Sequence, residues 1–267
     1  AIGNGTMTAA RTQSYEFGFN VQFNRHWAFS LMGWVKDMDQ MVTSKPSRAG
    51  VFTYDVLENG DYGTAKGIDF TLENKGMLVN TMLQYTLSHA KANGAFDWES
   101  LDNSAILAPS QAYMMPFDRT HNFVATFYSM LPYGINAGLT YNFQSGSPYT
   151  PMRWKGDTPE EDVKNKFSLR APNSGNLALS LSKYIKIDKI KFRLGLDVYN
   201  LLDTRNAVDV WPLTGTAGDP GTYYTENIGL TYLVPDEERA KSVSYYDQPW
   251  NFSSPREVNF FVRFDFN

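Results

Sequence analysis

The stretch that decides the fold lies at residues 13–23 and reads Gln13-Ser14-Tyr15-Glu16-Phe17-Gly18-Phe19-Asn20-Val21-Gln22-Phe23. Its odd-numbered positions from Tyr15 to Phe23 are all aromatic or aliphatic, and the positions between them are polar or glycine. Because side chains alternate between the two faces of an extended chain, this period of two predicts a β-strand with one apolar and one polar face.

The same alternation recurs in eight further segments. They lie at residues 27–35, 67–73, 79–88, 122–128, 135–144, 176–182, 190–199 and 257–266. Many of these strands reach about ten residues, whereas strands of globular proteins typically have about five or six. A tilted strand of about ten residues spans roughly 25 Å, the height of the apolar band of an outer-membrane barrel. The pattern therefore predicts an all-β fold, an antiparallel transmembrane β-barrel segment of about nine strands.

The composition excludes several other classes of protein. The chain has 267 residues, no cysteine, a formal charge of −4 and a mean hydropathy of −0.39. It has no apolar run long enough for a transmembrane helix. Without cysteine it cannot form a disulfide scaffold, a cysteine zinc site or a thiol nucleophile. Its mild acidity argues against nucleic acid as a partner.

Short and long connections alternate along the chain. Tight turns are predicted at residues 24–26, 75–76, 132–134 and 187–189, and long loops at residues 44–61, 91–117, 145–174 and 203–255. Outer-membrane barrels have short periplasmic turns and long extracellular loops, so the C-terminus is predicted to be periplasmic. Because an odd number of strands does not close an ordinary bacterial barrel, and because the sequence opens without a signal peptide, we expect residues 1–267 to be the C-terminal part of a larger barrel.

Several segments resemble the barrel of TonB-dependent outer-membrane receptors. They are Tyr62–Phe70, Pro116–Phe123, Leu131–Gly134, Gln144–Pro151, Leu196–Asn206 and the aromatic ending Val262–Phe266. Within Leu196–Asn206, the residues Val198-Tyr199-Asn200-Leu201-Leu202-Asp203 are similar to the family's V-x-N-L-F-D strand. The resemblance implies a 22-stranded barrel, of which this chain supplies roughly the last nine strands. The N-terminal plug and the first barrel strands would have no counterpart here. Within the family, the sequence is most similar to the large receptors of Bacteroidota-type bacteria.

The resemblance also implies a function. It implies a receptor in the bacterial outer membrane, surrounded by lipid, that takes up a peptide, a glycan or a metal chelate by energy-coupled transport. Its partners would be the inner-membrane energy complex, reached through the plug, and a surface lipoprotein lid. Neither an enzyme activity nor a cofactor is expected. Two alternatives remain open at this point: a passive porin or self-contained small barrel, and a secreted β-rich module that binds glycans.

Ten aromatic residues in the predicted extracellular loops are the candidate ligand-binding residues. They are Trp98, Tyr113, Tyr149, Trp154, Trp211, Tyr223, Tyr224, Tyr245, Tyr246 and Trp250. Flat rings with a polar edge suit sugars and peptides, and they lose little conformational freedom when they are ordered. The competing interpretation is packing within the loops, or an aromatic belt near the membrane surface.

Five charged residues are predicted to face the inside of the barrel. They are Asp69, Glu73, Arg193, Asp197 and Arg263. They would pair with residues of the plug or line the wet wall, and a structural pairing role is favoured over contact with the substrate.

No metal or catalytic site is predicted. The three histidines, His26, His89 and His121, lack a second histidine or cysteine at the spacing of a zinc site. The two acidic groups, at residues 157–162 and 235–238, resemble the starts of short loop helices, with Thr158 as an N-cap, more than calcium sites.

Overall fold

One large antiparallel sheet forms the body of the protein. The computed structural model describes residues 3–93, 112–187, 190–227 and 241–266. Its strands are β1 (Arg11–Gln22), β2 (Trp27–Ala49), β3 (Phe52–Lys75), β4 (Val79–Ala92), β5 (Tyr113–Met114), β6 (His121–Leu131), β7 (Ile135–Gln144), β8 (Pro148–Tyr149), β9 (Met152–Lys155), β10 (Thr158–Glu161), β11 (Leu169–Arg170), β12 (Ser174–Ile187), β13 (Ile190–Tyr199) and β14 (Glu257–Phe266). The main sheet has the order β1-β2-β3-β4-β6-β7-β12-β13-β14, with β5 beside the end of β4. The predicted strands and their antiparallel order are confirmed.

The register of the sheet sorts its side chains onto two faces. On one face, successive strands place Phe19, Leu31, Phe70, Tyr85, Phe123 and Phe143 opposite one another. On the other face, the row is Asp69, Thr86, Asn122 and Gln144. We call these the apolar face and the polar face. The segregation follows directly from the period of two, because a one-residue slip in register would exchange the faces.

The apolar face of the sheet is not covered by other parts of the described chain. Phe17 on β1 is 83% exposed, and Phe260 on β14 is 79% exposed. The buried apolar residues lie mostly outside the middle of the sheet, in clusters such as Ala92, Tyr113 and Met115. The packed part of the molecule is therefore at one end, where the long connections after β4, β7 and β13 meet. We call it the loop end.

The predicted loop at residues 44–61 is wrong. Strands β2 and β3 continue through this region and pair from Ala49–Phe52 to Trp27–Asn74, with an irregularity near Met41. A tight turn at Gly50, which has a φ of +63°, joins them. The prediction ended the strands at the height of the membrane band, but backbone hydrogen bonds between two adjacent strands are also satisfied beyond it. The result is a two-stranded ribbon that extends from the loop end.

The predicted helix start at Thr158 is also wrong. Residues 158–161 form β10 and pair with β9, so Thr158 is not an N-cap. Cross-strand ion pairs from Glu160 to Arg153 at 2.8 Å and to Lys155 at 3.1 Å favour the hairpin over the helix. The acidic group at residues 235–238 lies outside the described residues.

Little helix is present in the described ranges. The chain forms one short helix, α1 (Thr222–Glu226), and single turns of 3₁₀-helix at Pro132–Gly134, Val163–Asn165, Val243–Tyr245 and Pro249–Asn251. None of the helical segments in these ranges is long and apolar enough to cross a membrane.

Candidate ligand-binding site

Six of the ten candidate aromatic residues form one continuous chain of ring contacts at the loop end. The ring centroids are 5.6 Å apart for Trp154–Tyr223, 5.5 Å for Tyr223–Tyr224, 5.7 Å for Trp211–Tyr224, 5.7 Å for Trp211–Tyr246 and 5.2 Å for Tyr245–Tyr246. Most of these pairs meet edge to face, which is a favoured geometry for aromatic rings. We call these residues the aromatic cluster: Trp154, Trp211, Tyr223, Tyr224, Tyr245 and Tyr246.

Four separate stretches of sequence bring the cluster together. Trp154 comes from β9, Trp211 from the loop that follows β13, and Tyr223 and Tyr224 from α1. Tyr245 ends the 3₁₀ turn Val243–Tyr245, and Tyr246 follows it directly. Two bonds through Met152 tie the first stretch to the loop that follows β13. The backbone N–H of Met152 donates to the carbonyl of Pro212 at 3.2 Å, and the sulfur of Met152 accepts a hydrogen bond from the Tyr224 hydroxyl at 3.3 Å. The hairpin of β9 and β10 therefore packs on the loop that carries Trp211.

A tight turn fixes Trp211 in the centre of the cluster. Its backbone N–H donates to the carbonyl of Thr216 at 2.9 Å, and its carbonyl accepts the N–H of Gly215 at 2.7 Å. Gly215 has a φ of +73° and lies against the Tyr149 hydroxyl, where a Cβ atom would be only 2.4 Å away. Glycine is therefore required here for both conformation and space. Through this contact, Tyr149 packs against the turn that holds Trp211.

Burial raises the pKa of three tyrosines at the site, namely Tyr149, Tyr224 and Tyr246. The neighbouring phenols Tyr223 and Tyr245 add to the increase for Tyr224 and Tyr246. Tyr246 is 7% exposed, and its hydroxyl has no hydrogen-bond partner among the described residues. These phenols therefore remain neutral donors at physiological pH.

Two aromatic rings at the site are open to solvent. Trp154, at the end of the aromatic cluster, is 55% exposed, and Trp250, on the last 3₁₀ turn, is 74% exposed. The ring of Tyr223 meets the accessible ring of Trp154 edge to face and helps to hold it in place. The arrangement therefore offers an ordered aromatic surface, and Arg153, Lys155 and Glu160 lie on the other face of the same hairpin because side chains alternate along a strand.

Tyr113 belongs to a different cluster. It packs on Phe167 with a centroid distance of 5.6 Å, and Lys166 lies 5.0 Å above its ring. It is buried together with Ala92 and Met115. Its position indicates a packing role. Trp98 lies outside the described residues.

The five candidate inward charges all lie on the polar face. Asp69 accepts bonds from Trp34 Nε1 at 2.9 Å and Thr86 Oγ1 at 2.7 Å. Asp197 accepts one from Ser180 at 2.6 Å, and Glu73 lies 3.7 Å from Lys75. The two arginines, Arg193 and Arg263, face each other across β13 and β14.

Sequence reasoning missed the ion pair that joins two of the loops. Arg170 binds the carboxylate of Asp118, which is 3% exposed and also accepts the backbone N–H of Ala90 at 2.7 Å. The sequence marks Asp118 only as a member of the segment Pro116–Phe123. No periodic pattern marks Arg170 as its partner, because the two residues are 52 positions apart.

Comparison with known proteins gives a match in structure only. No family model and no curated protein matches the sequence. The ferric-catecholate import receptor Fiu from Escherichia coli K12 is similar over 99% of this chain and 30% of its own, with 12% identity and a TM-score of 0.55. The outer membrane transporter YddB from Escherichia coli is similar over 77% and 30%, with 11% identity and a TM-score of 0.59. The FrpB iron transporter from Neisseria meningitidis is similar over 75% and 28%, with 12% identity and a TM-score of 0.52.

These similarities establish the fold. The chain spans less than a third of the length of each of the three proteins. At such identities the likeness concerns architecture: long antiparallel strands in one sheet, with long connections at one end. The chain therefore has the fold of part of the β-barrel of TonB-dependent outer-membrane receptors.

Proposed function

We propose that this chain is part of an outer-membrane receptor that takes up a specific substrate by energy-coupled transport, and that it catalyses no covalent chemistry. The observation that carries the proposal is the uncovered apolar face of a sheet whose other face is polar. Rings such as Phe17 and Phe260 are exposed to solvent in water, but they would be buried in the hydrocarbon of a membrane. The fold shared with solved outer-membrane transporters supports the same conclusion.

In this proposal the apolar face contacts lipid and the polar face lines the inside of the barrel. The loop end then lies outside the cell, and the tight turns and the C-terminal end of β14 lie in the periplasm. Within the described residues, β1 and β14 each pair with a strand on one side only. Unpaired strand edges are not stable in lipid, so further strands would continue the sheet. We therefore propose that residues 1–267 form the C-terminal part of a larger barrel with an N-terminal plug.

The aromatic cluster supplies the proposed place of first contact with the substrate. The exposed ring of Trp154 can stack on a planar or apolar face of a ligand, and Arg153 and Lys155 place positive charge on the opposite face of its hairpin. A peptide, a glycan or a metal chelate would suit such a surface. The names of the similar structures, which include a ferric-catecholate receptor and an iron transporter, favour a metal chelate among these.

Energy coupling would need an inner-membrane partner, reached through the plug, and a surface lipoprotein could cover the loop end.

A passive porin is the first alternative. Uptake that continues after the proton gradient is collapsed would favour it, whereas uptake that stops would favour the receptor. A secreted glycan-binding module is the second alternative, but it requires a covered apolar face. In the described ranges no second sheet covers that face.

A fractionation experiment tests the membrane assignment. We expect the protein to stay with the outer membrane in high salt and to be released by detergent. A matched pair of variants tests which face meets lipid. Phe260→Lys, on the apolar face of β14, should destabilise insertion into vesicles by about 2–4 kcal/mol. Asn259→Lys, its neighbour on the polar face and the register partner of Asp197, should be tolerated. Equal effects, or release of the wild type by salt alone, would contradict the proposal.

A further inference from the structure

Two pairs of positive residues face each other on the polar face, near the turn between β12 and β13. Lys186 is the register partner of Lys191, and Arg193 is the register partner of Arg263. Lys191 and Arg193 are two residues apart on one strand, so all four side chains belong to the same face. Like charges placed directly opposite each other destabilise a sheet. We call these four residues the cationic patch.

Arg193 is held in place by its neighbours. Its guanidinium lies 5.5 Å from the ring centroid of Tyr184 and 5.8 Å from that of Phe261. One terminal nitrogen donates to the Ser182 hydroxyl at 3.3 Å. Its Nε is buried and has no hydrogen-bond partner in the described part of the chain. The arginine is therefore oriented by rings and a hydroxyl, and one of its donors is unused.

Few carboxylates lie near the patch. Apart from Asp265, no residue of the described ranges forms an ion pair with any of its four members. Asp197 lies on the same face of β13, but four residues from Arg193, which is about 13 Å along a strand. Its carboxylate already accepts a bond from Ser180. In the two rows of the patch, the one acidic residue is Asp265, whose Cα pairs with that of Lys191.

The neighbouring strands do not add negative charge. Neither β6 nor β7 contains an aspartate or a glutamate. The positive charge therefore extends over a region about two strand spacings wide, in which Asp265 is the one acidic residue beside four cationic ones. An anion bound between Arg193 and Arg263 would relieve the repulsion between them and accept charge-assisted hydrogen bonds from their guanidinium groups.

We propose that the cationic patch is a binding site for a polyvalent anionic solute that carries phosphate or carboxylate groups. Arginine presents a planar set of donors that matches both groups, and the two lysines add charge one row away. The location inside a barrel rests on the proposed function, and there the patch would select anions near the periplasmic mouth. The binding itself depends only on the geometry of β12, β13 and β14.

Titration with inorganic pyrophosphate tests this site. The full chain in neutral detergent is titrated by calorimetry at low salt, together with Arg193→Gln, Arg263→Gln and the double variant. The matched control is Lys183→Gln, since Lys183 is the neighbour of Tyr184 on the opposite face and pairs with Leu194. We expect each arginine variant to weaken binding about tenfold, the double variant to abolish it, and the control to bind like the wild type. Added salt should weaken wild-type binding.

Two results would overturn the inference. One is a wild type that binds no pyrophosphate although circular dichroism shows its strands to be formed. The other is a loss in Lys183→Gln as large as in Arg193→Gln, which would indicate unspecific attraction. Binding of an acidic peptide but not of pyrophosphate would assign the patch to a protein partner and would also contradict a solute site. Failure of the membrane fractionation, in contrast, would leave pyrophosphate binding measurable.

Discussion

Asp118 and Arg170 form an ion pair that joins the start of β6 to the end of the loop between β7 and β12. Arg170 also donates to the carbonyl of Gly146 at 3.0 Å, and Asp118 accepts the backbone N–H of Ala90 at 2.7 Å. Four segments of the loop end therefore meet at one pair of side chains. Tyr113 and the cluster around Met115 lie beside it. The ion pair therefore links the segments from which the longer loops emerge.

Replacement of Asp118 with alanine should open this junction. The substitution leaves Arg170 without a counter-charge in a partly buried place and deprives the Ala90 N–H of its acceptor. Removal of one partner of a buried ion pair typically costs about 3–5 kcal/mol. We expect hydrogen exchange of the Ala90 amide to accelerate strongly, while amides in the middle of β6 are little affected.

A second ion pair provides the control for this prediction. Arg205 and Asp247 are 2.8 Å apart, but both side chains are about half exposed. Because exposed ion pairs contribute only about 0–1 kcal/mol, Asp247→Ala should change local exchange only slightly. Similar effects in both variants would show that the Asp118 pair is not the junction described above.

The sheet could be predicted from the sequence because its signal is local. Alternation of apolar and polar residues marked the strands, and the chain order equals the sheet order, so neighbours were correctly paired. The lengths of the strands, in contrast, could not be predicted from the local pattern alone. The extension of β2 and β3 to Ala49 and Phe52 depends on hydrogen bonding between the two strands, and the alternation there is limited to the short segment Phe52–Val56.

The site was harder to predict, because ring contacts between distant loops leave no periodic pattern. Listing loop aromatics found all six members of the aromatic cluster, but equally included Tyr113, which is buried in another cluster. The six cluster members differ from Tyr113 in their tertiary contacts, which the sequence does not show. One example is the hydrogen bond from Met152 of β9 to the loop that carries Trp211. Likewise, Trp34 lies over Gly67 and donates to Asp69, a contact between strands that composition does not reveal.

Gly195 should be required for the packing of Phe261. A Cβ atom at this position would lie 2.0 Å from the Phe261 ring, so Gly195→Val displaces the ring from the sheet and from Arg193. Because the ring is the end of a movable side chain, we expect a loss of roughly 1 kcal/mol, at the lower end for overpacking. Gly33→Val is the control, since the nearest atom there is 3.9 Å away. Denaturant midpoints of the protein folded in detergent measure both, and an equal change would refute the expectation.

Alanine variants of Trp154 and Trp211 should affect different properties, namely ligand binding and the stability of the loop after β13. Trp154 is exposed at the end of the aromatic cluster, so Trp154→Ala should weaken ligand capture and leave the loops intact. Trp211 contacts two other rings from the centre, so Trp211→Ala should loosen the loop after β13, with a loss of roughly 3 kcal/mol. Limited proteolysis reports the loop, and uptake or binding by cells reports capture. Faster proteolysis of Trp154→Ala than of Trp211→Ala would reverse these roles.

The β9–β10 hairpin should loosen in acid. A hydrogen bond from Lys155, with further support from Arg153, holds the pKa of Glu160 below its usual value of 4.5. Because the folded form has the lower pKa, the ion pairs contribute fully above that usual value and are lost as the pH falls through the lowered pKa. Protection factors of the β9 and β10 amides, which are exchange rates by NMR relative to the intrinsic rate at each pH, should fall in this window. Glu160→Gln should already exchange fast at neutral pH, and its remaining acid response would come from Asp162, whose pKa is lowered by a hydrogen bond from Asn165. Constant protection factors in the wild type down to a pH of about 3 would show that the backbone pairing alone holds the hairpin.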